Sequence, residues 1–442
     1  MIHSAGTKLM RKINVILLQS VCFILMAGEV QAIAPKGTQS NLAEQHILPS
    51  IPYLHLDGNL RTYFFQRNYT NPNLSNQKAF SFGGKLNALT EDCFYGFRMG
   101  ATAYTAQPLG LNSHNPNKVD LTLPGKPVTT LGQAFLQYEN NYFLTRIGNQ
   151  LISTPWLNEA DTRMIPATYQ GLYAKITPMT DFDLTAMRMI RFKSRIKGGF
   201  SKTNLYSPIN LGTPVNALDN QTVMGTLALG AQYKQCDFKA QVWGYQFYNI
   251  AKLYYGDVSY TMDIGTLVKP IVGVQVGHEH NDGNPVFNTS SVAKKNSDVY
   301  GALLGAEIAD GSVTIGYNNI PKHTGSFQNG DIVSPYTSGY TSDPLYTTAM
   351  IAGLIEKSAG SAMKGTVQYN FFEKQLHFLV CYARYKTSPF IPNTSETDFD
   401  LTYKPNGQLK NLSLRYRVGF LKHHPVFGRF IYNRLMVQYD FS

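Results

Sequence analysis

The feature that constrains this chain most is a two-residue periodicity that recurs from residue 56 to the last residues. Leu56, Gly58, Leu60, Thr62 and Phe64 alternate with Asp57, Asn59, Arg61 and Tyr63. Tyr95, Phe97, Met99, Ala101 and Ala103 alternate with Gly96, Arg98, Gly100 and Thr102. Leu227, Leu229, Ala231 and Tyr233 alternate with Thr226, Gly230, Gln232 and Lys234, and Val313, Ile315 and Tyr317 with Thr314, Gly316 and Asn318. Leu412, Leu414, Tyr416, Val418 and Phe420 alternate with Ser413, Arg415, Arg417 and Gly419. Successive strand side chains point to opposite faces, so each run has one apolar and one polar, small-residue face. Beyond Ile33 no stretch repeats at the helical period over more than two turns. The chain reads as all-β.

The runs are about ten residues long, the length a tilted strand needs to cross a bilayer. Turn residues separate them, as in Asn281-Asp282-Gly283-Asn284-Pro285, Asp310-Gly311 and Pro405-Asn406-Gly407. Longer polar stretches lie at 110–129, 200–220, 281–298 and 322–344. Short turns alternating with long loops suit a transmembrane antiparallel β-barrel. Composition agrees: charged residues are only 15 % and aromatics 12 % of 442 residues. A soluble domain carries about 25 % charge. A multi-span helical protein would need apolar runs of about 20 residues, which are missing. Disorder pairs few aromatics with high charge. A soluble β-sandwich also alternates, but no linker divides a chain of this length into two. One barrel domain is expected over 51–442, with 33–50 as a flexible polar lead-in.

The first 32 residues read as a cleaved signal peptide. Lys8, Arg11 and Lys12 form a basic region, Val15 to Gly28 is apolar apart from Gln19 and Ser20, and Val30-Gln31-Ala32 offers small residues for cleavage. Met10-Arg11-Lys12 supplies a second possible start. Gln19 argues against a lipid anchor on Cys22. Removing Lys8, Arg11, Lys12 and Glu29 takes the formal charge from +11 to +9. The remaining basic residues are spread singly, so no nucleic-acid partner is expected. Cys93, Cys236 and Cys381 are an odd, widely spaced set, read as free thiols.

Enzyme signatures are weak. His278-Glu279-His280 puts two imidazoles on one side of a strand without a third ligand nearby, and His423-His424 sits in a turn. There is no Gly-x-Ser-x-Gly, P-loop or Rossmann run. No enzyme activity, metal or cofactor is expected. The chain ends on Leu435, Val437, Tyr439 and Phe441, the alternating face that outer-membrane assembly machinery recognises, with Ser442 as a departure from the usual terminal aromatic.

Several motifs resemble the OprD-type specific porins of Gram-negative outer membranes. Gly58-Asn59-Leu60-Arg61-Thr62-Tyr63-Phe64 with Arg67-Asn68-Tyr69 is similar to the family's first strand, and Ala79-Phe80-Ser81-Phe82-Gly83-Gly84-Lys85-Leu86 to its second. Phe94-Tyr95-Gly96-Phe97 and Ala103-Tyr104-Thr105-Ala106-Gln107-Pro108-Leu109-Gly110 resemble the third. The strongest match is Arg146-Ile147-Gly148-Asn149-Gln150-Leu151 with Thr154-Pro155-Trp156, Asp161-Thr162-Arg163-Met164-Ile165-Pro166 and Thr168-Tyr169-Gln170-Gly171. Leu409 to Arg417 resembles the late arginine-bearing strand. The resemblance implies 18 strands, often in loose trimers, surrounded by outer-membrane lipid and lipopolysaccharide. It also implies passive uptake of small anionic or zwitterionic solutes, a loop folded into the lumen, and inward arginines opposite it.

On the residues themselves, Arg415 and Arg417 share the polar face with Ser413 and Gly419, the lumen side of a barrel. Two guanidiniums about 7 Å apart can hand on a carboxylate. Arg146, Arg98 and Arg61 also fall on polar faces, while Arg384 has the parity of Phe378, Val380 and Tyr382, so that either a bulge intervenes or its strand is misread. The constriction candidate is 151–170, stiffened by Pro155 and Pro166. Its Glu159, Asp161, Arg163 and Tyr169 complete the expected solute path, with the two acids facing the arginines. Lumen arginines can equally serve as wall structure by pairing with acids. A barrel acting mainly as a structural or host-contact surface protein is the alternative function, motivated by the loops 281–298 and 322–344.

Overall fold

The computed structural model describes residues 53–91, 95–202, 224–283, 294–388 and 390–442. The signal peptide, the 33–50 lead-in and Cys93 lie outside them. Eighteen antiparallel strands form one sheet that closes on itself, because the first strand pairs with both the second and the last. The first seven are β1 (Leu54–Tyr69), β2 (Gln77–Thr90), β3 (Phe97–Gln107), β4 (Val128–Glu139), β5 (Phe143–Gln150), β6 (Thr168–Met179) and β7 (Phe182–Lys193). The next six are β8 (Thr226–Gln235), β9 (Phe238–Phe247), β10 (Ala251–Thr261), β11 (Val268–Asn281), β12 (Asn296–Ile308) and β13 (Gly311–Ile320). The last five are β14 (Gly360–Phe371), β15 (Leu376–Thr387), β16 (Ser395–Tyr403), β17 (Leu412–His424) and β18 (Gly428–Phe441). Among the described residues, helix is confined to single 3-10 turns. The barrel thus has a turn end, where short connections such as 180–181, 236–237 and 309–310 sit, and a loop end, where 108–127, 151–167 and 321–359 arise.

The alternation read from sequence is the facing of the wall. Ile315, Leu304, Val274, Val242 and Leu229 are exposed on the outer face, while Asn318, Gln275 and Trp243 are buried on the inner face. The exposed apolar side chains make the belt that hydrocarbon would cover. Arg384 continues the outward parity of β15: its register with Met363 on β14 and Ser395 on β16 is unbroken, so no bulge turns it inward. Neither a bulge nor a misread strand accounts for it: Arg384 lies on the outer wall near the loop end.

The buried core lies inside the barrel, between wall and loops. Trp243, Tyr245 and Phe247 stack along β9 at centroid distances of 5.7 and 5.6 Å. Trp156 of the 151–167 loop, wholly buried, meets Tyr255 edge-on at 5.8 Å. Tyr336 of the 321–359 loop packs on Tyr169, Phe192 and Phe247. The closing seam between β1 and β18 is also held from inside. Phe65 meets Tyr432 at 5.9 Å, Tyr432 and Thr122 hydroxyls are hydrogen-bonded at 2.6 Å, and Arg67 Nε pairs with buried Asp120 at 3.1 Å. Arg163 and Arg434 both lie over the Phe65 ring.

Two unpaired thiols are described, Cys236 exposed and Cys381 buried. His278 and His280 do share the outer face of β11, but Glu279 between them is buried inward, where its Oε2 accepts from Val333 N–H at 2.9 Å. Asp298 accepts from His278 on one oxygen and His323 on the other, at 2.8 and 2.9 Å. Among the described residues no group of His, Cys, Asp or Glu is arranged to hold a metal ion.

Candidate functional site

Two loops enter the lumen and shape what is left of it. The first, 151–167, begins with a tiny hairpin pairing Ser153–Thr154 with Leu157–Asn158. Its apolar Ile152, Trp156, Leu157, Met164 and Ile165 are buried. Lys193 Nζ donates to Pro166 O at 2.9 Å and Tyr169 OH to Asn158 O at 2.7 Å, which fasten the middle and the far end of the loop to the wall. The second, 321–359, is longer than the polar stretch 322–344 suggests. Its remainder carries Leu345, Met350, Leu354 and Ile355, all buried. Wall carboxylates capture its backbone: Met350 N–H donates to Asp398 Oδ2 at 3.0 Å, Ile351 and Ala352 N–H to the two oxygens of Glu396 at 2.7 and 2.8 Å. Tyr385 OH donates to Thr347 O and Ala352 O at 3.0 and 2.9 Å. Asn158 Nδ2 donates to Ser342 O at 2.8 Å and joins the two loops.

Beside them run two cavities that share Thr162 and Arg415 in their walls. A vestibule of 570 Å³ at the turn end is lined by Arg61, Asp161, His377, Ser413 and Arg415, among others. An inner chamber of 310 Å³ is bounded by Tyr340, Asp398, Asp400, Arg415, Arg417 and Arg434. Arg61 clamps Asp161 bidentately at 2.7 and 2.7 Å and donates to Arg163 O at 3.0 Å. Asp400 accepts from Arg415 Nε at 2.8 Å and faces Arg417 Nε at 2.8 Å. Arg61, Asp161 and Arg415 thus line the vestibule, and Arg415 and Arg417 line the inner chamber.

The other sequence candidates fall elsewhere. Arg163 is buried behind the path, where burial first, then Arg434, holds its guanidinium well below its ordinary range. Arg195 shares that fate through burial and Arg434, and lies 3.5 Å from the centroid of the Tyr340 ring. Glu159 does not meet an arginine. Burial first, then Asp161, raises its carboxyl, and Lys85 is the cation beside it. Arg146 donates to Gln137 Oε1 at 2.9 Å over the Phe135 ring, and Arg98 faces Glu139 at 3.7 Å, both outside the two cavities. Tyr169 is fully buried as a post for the inward loop. The expectation that both acids face arginines thus holds for Asp161 alone, because the Asn158–Asp161 turn points the two carboxylates apart.

Sequence reasoning missed Asp400, Asp398, Glu396, Arg195 and Arg434. A signal existed: Glu396, Asp398 and Asp400 alternate with Thr397, Phe399 and Leu401, an acid stripe with period 2. Arg434 shares parity with inward Tyr432 and Met436.

Two carboxyls within the long loop carry a pH dependence. Burial pushes Asp343 up to about 6, against hydrogen bonds from Thr348 and Leu345, and pushes Asp331 well above the usual range. A raised carboxyl gains its proton on docking, so docking is firmest below the ordinary carboxylate value and weakens as pH rises through 6. Acidifying single-channel recordings from pH 7 to 5 should therefore reduce current noise, and Asp343→Asn should flatten that response.

A family model described as outer membrane porin, OprD family, matches residues 54–328. No functionally curated protein matches the chain by sequence. The fold is similar to the crystal structure of a BenF-like porin from Pseudomonas fluorescens Pf-5, at TM-score 0.73 and 15 % identity over 88 % of this chain and 98 % of that one. It is similar to OccAB3 of Acinetobacter baumannii at TM-score 0.71 and 15 % identity, covering 88 % of this chain and 100 % of that one. OpdK of Pseudomonas aeruginosa, solved with vanillate, gives TM-score 0.69 and 16 % identity over 88 % and 98 %. Porins are channels rather than enzymes, and those of this family sit in the Gram-negative outer membrane. The closed 18-stranded wall, the loops folded into its lumen and the match over most of the strands together make this chain a member of the OprD family of outer-membrane porins.

Proposed function

We propose that the chain admits small carboxylate-bearing solutes by facilitated diffusion through an arginine-lined pore. The observation that carries this is the charge balance of the inner chamber: Arg415, Arg417, Arg434 and Lys364 against Asp398 and Asp400. The surplus is positive, and Asp398 already accepts from Met350 N–H. A chamber of 310 Å³ suits a small solute. Arg415 and Arg417 share Asp400, so an entering carboxylate exchanges with an internal one and leaves as readily. Vanillate, itself a carboxylate, in the similar OpdK adds support. The long loop spends its buried residues inside the lumen, which weakens its use as a host-contact surface.

The test is Arg415→Gln/Arg417→Gln in planar bilayers and swelling liposomes. Carboxylate flux should fall several-fold relative to neutral solutes of equal size, with selectivity moving toward cations. A charge pair at 4 Å is worth about 1 kcal/mol in water and about 4 at an effective dielectric of 20. The effect should shrink at 1 M salt, where screening acts within about 3 Å. A folded, conducting double variant with unchanged anion preference would leave these arginines as wall structure.

A further inference from the structure

Arg384 stands opposite Ser395, and Ser395 stands opposite Lys422, so the three lie in one row across β15, β16 and β17. Residues directly opposite on neighbouring strands share a face. Arg384 and Lys422 are then two strands apart, about 9.5 Å. Lys386 lies two residues beyond Arg384 on the same face, about 7 Å away. All three side chains are exposed on the outer wall near the loop end. Their arms are long enough to converge on one group.

No carboxylate answers them. Among the described residues none of the three has an ion pair, and the loop-end half of the outer face over β14–β18 contains no Asp or Glu. By contrast Arg61 has Asp161, and outward His278 has Asp298. One step toward mid-barrel the wall turns apolar, with Tyr382 opposite Thr397 and Thr397 opposite Phe420. Aromatic residues of this kind mark the membrane interface, and cations just beyond it stand at headgroup level. A second copy of the chain is a poor occupant, since outer-face Asp298 is already shared by His278 and His323.

We propose that Arg384, Lys386 and Lys422 form a docking site on the outer wall for a phosphate-bearing lipid headgroup. Phosphate offers several acceptor oxygens to a forked guanidinium and two ammonium groups, and the surrounding lipid brings it to the correct height. The site rests on the barrel's place in a membrane and is independent of what the pore carries.

The test uses refolded full-length protein and native mass spectrometry with bisphosphorylated lipid A, its dephosphorylated form, and inorganic phosphate as competitor. Wild type should retain the phosphorylated lipid, and Arg384→Gln/Lys386→Gln/Lys422→Gln should weaken retention at least tenfold, given about fivefold per cation. The charge-conserving Arg384→Lys/Lys422→Arg should retain it. Removing two distant cations, Lys78→Gln/Arg191→Gln, should change nothing. Heat-modifiable migration on gels checks that each variant is folded. Equal retention by wild type and triple variant overturns the site, as does an equal loss with the dephosphorylated lipid. Displacement of the lipid by millimolar inorganic phosphate also overturns it, since the occupant would then be a free anion.

Discussion

Replacing Glu396 and Asp398 with leucine should widen the pore several-fold while leaving the barrel closed. The two carboxylates take three backbone N–H groups of the long inward loop, from Met350, Ile351 and Ala352. Leucine is close in volume and accepts nothing. Each buried donor left without a partner costs about 1–3 kcal/mol. Three together make about 3 kcal/mol at the least, a shift of more than a hundredfold toward the undocked loop. Tyr385 keeps its hydrogen bonds to the loop carbonyls of Thr347 and Ala352, which involve none of these three N–H groups. Swelling rates with neutral sugars are the better readout, because the lost acids also alter ion selectivity. Faster entry of larger sugars, with gel migration unchanged, is expected. Unaltered rates would show that the apolar contacts of Leu345, Leu354 and Ile355 hold the loop unaided.

A lysine at Ile315 should be the most damaging single change on the wall. Ile315 is 56 % exposed on the outer face at mid-strand of β13, between Leu304 and Gly365. A cation at the bilayer midplane of a barrel costs about 2–4 kcal/mol, falling to about 0–1 near the interfaces. Leu414, also on the outer face, lies two residues into β17 from the turn end and should be milder. Thr314→Lys, one residue away and inward-facing, meets the lumen and should be milder too. Urea titration in liposomes measures the three. Equal losses at 314 and 315 would contradict the assigned facing.

The wall was readable because facing is a local property of a two-residue period. Arg415 and Arg417 could be set in the lumen from Ser413 and Gly419 alone. Arg384 looked anomalous only because a charge on the apolar parity has no local explanation. What stayed hidden is non-local. Asp400 meets Arg415 through the β16–β17 register, and Glu396 reaches Ala352 across 44 residues of chain. The inward fold of 345–359 leaves no periodic mark, since its N–H groups go to scattered side chains and turn carbonyls rather than to a ladder. Glu159 and Asp161 stand two residues apart in one inward loop, yet only Asp161 meets an arginine; Ala160 between them has φ 45°.

The interior fastening of the β1–β18 seam dictates an order of events during biogenesis. Phe65, Tyr432, Asp120, Thr122 and Arg163 come from the first strand, the last strand and two early loops. The contacts of Tyr432 with Phe65 and Thr122 cannot exist until the final strand arrives, so a nascent cylinder lacking β18 has the Arg67–Asp120 pair without the Tyr432 ring beside it. Zippering is thereby rewarded late and all at once. A chain shortened by one hairpin should stall as an open ribbon rather than settle as a smaller pore.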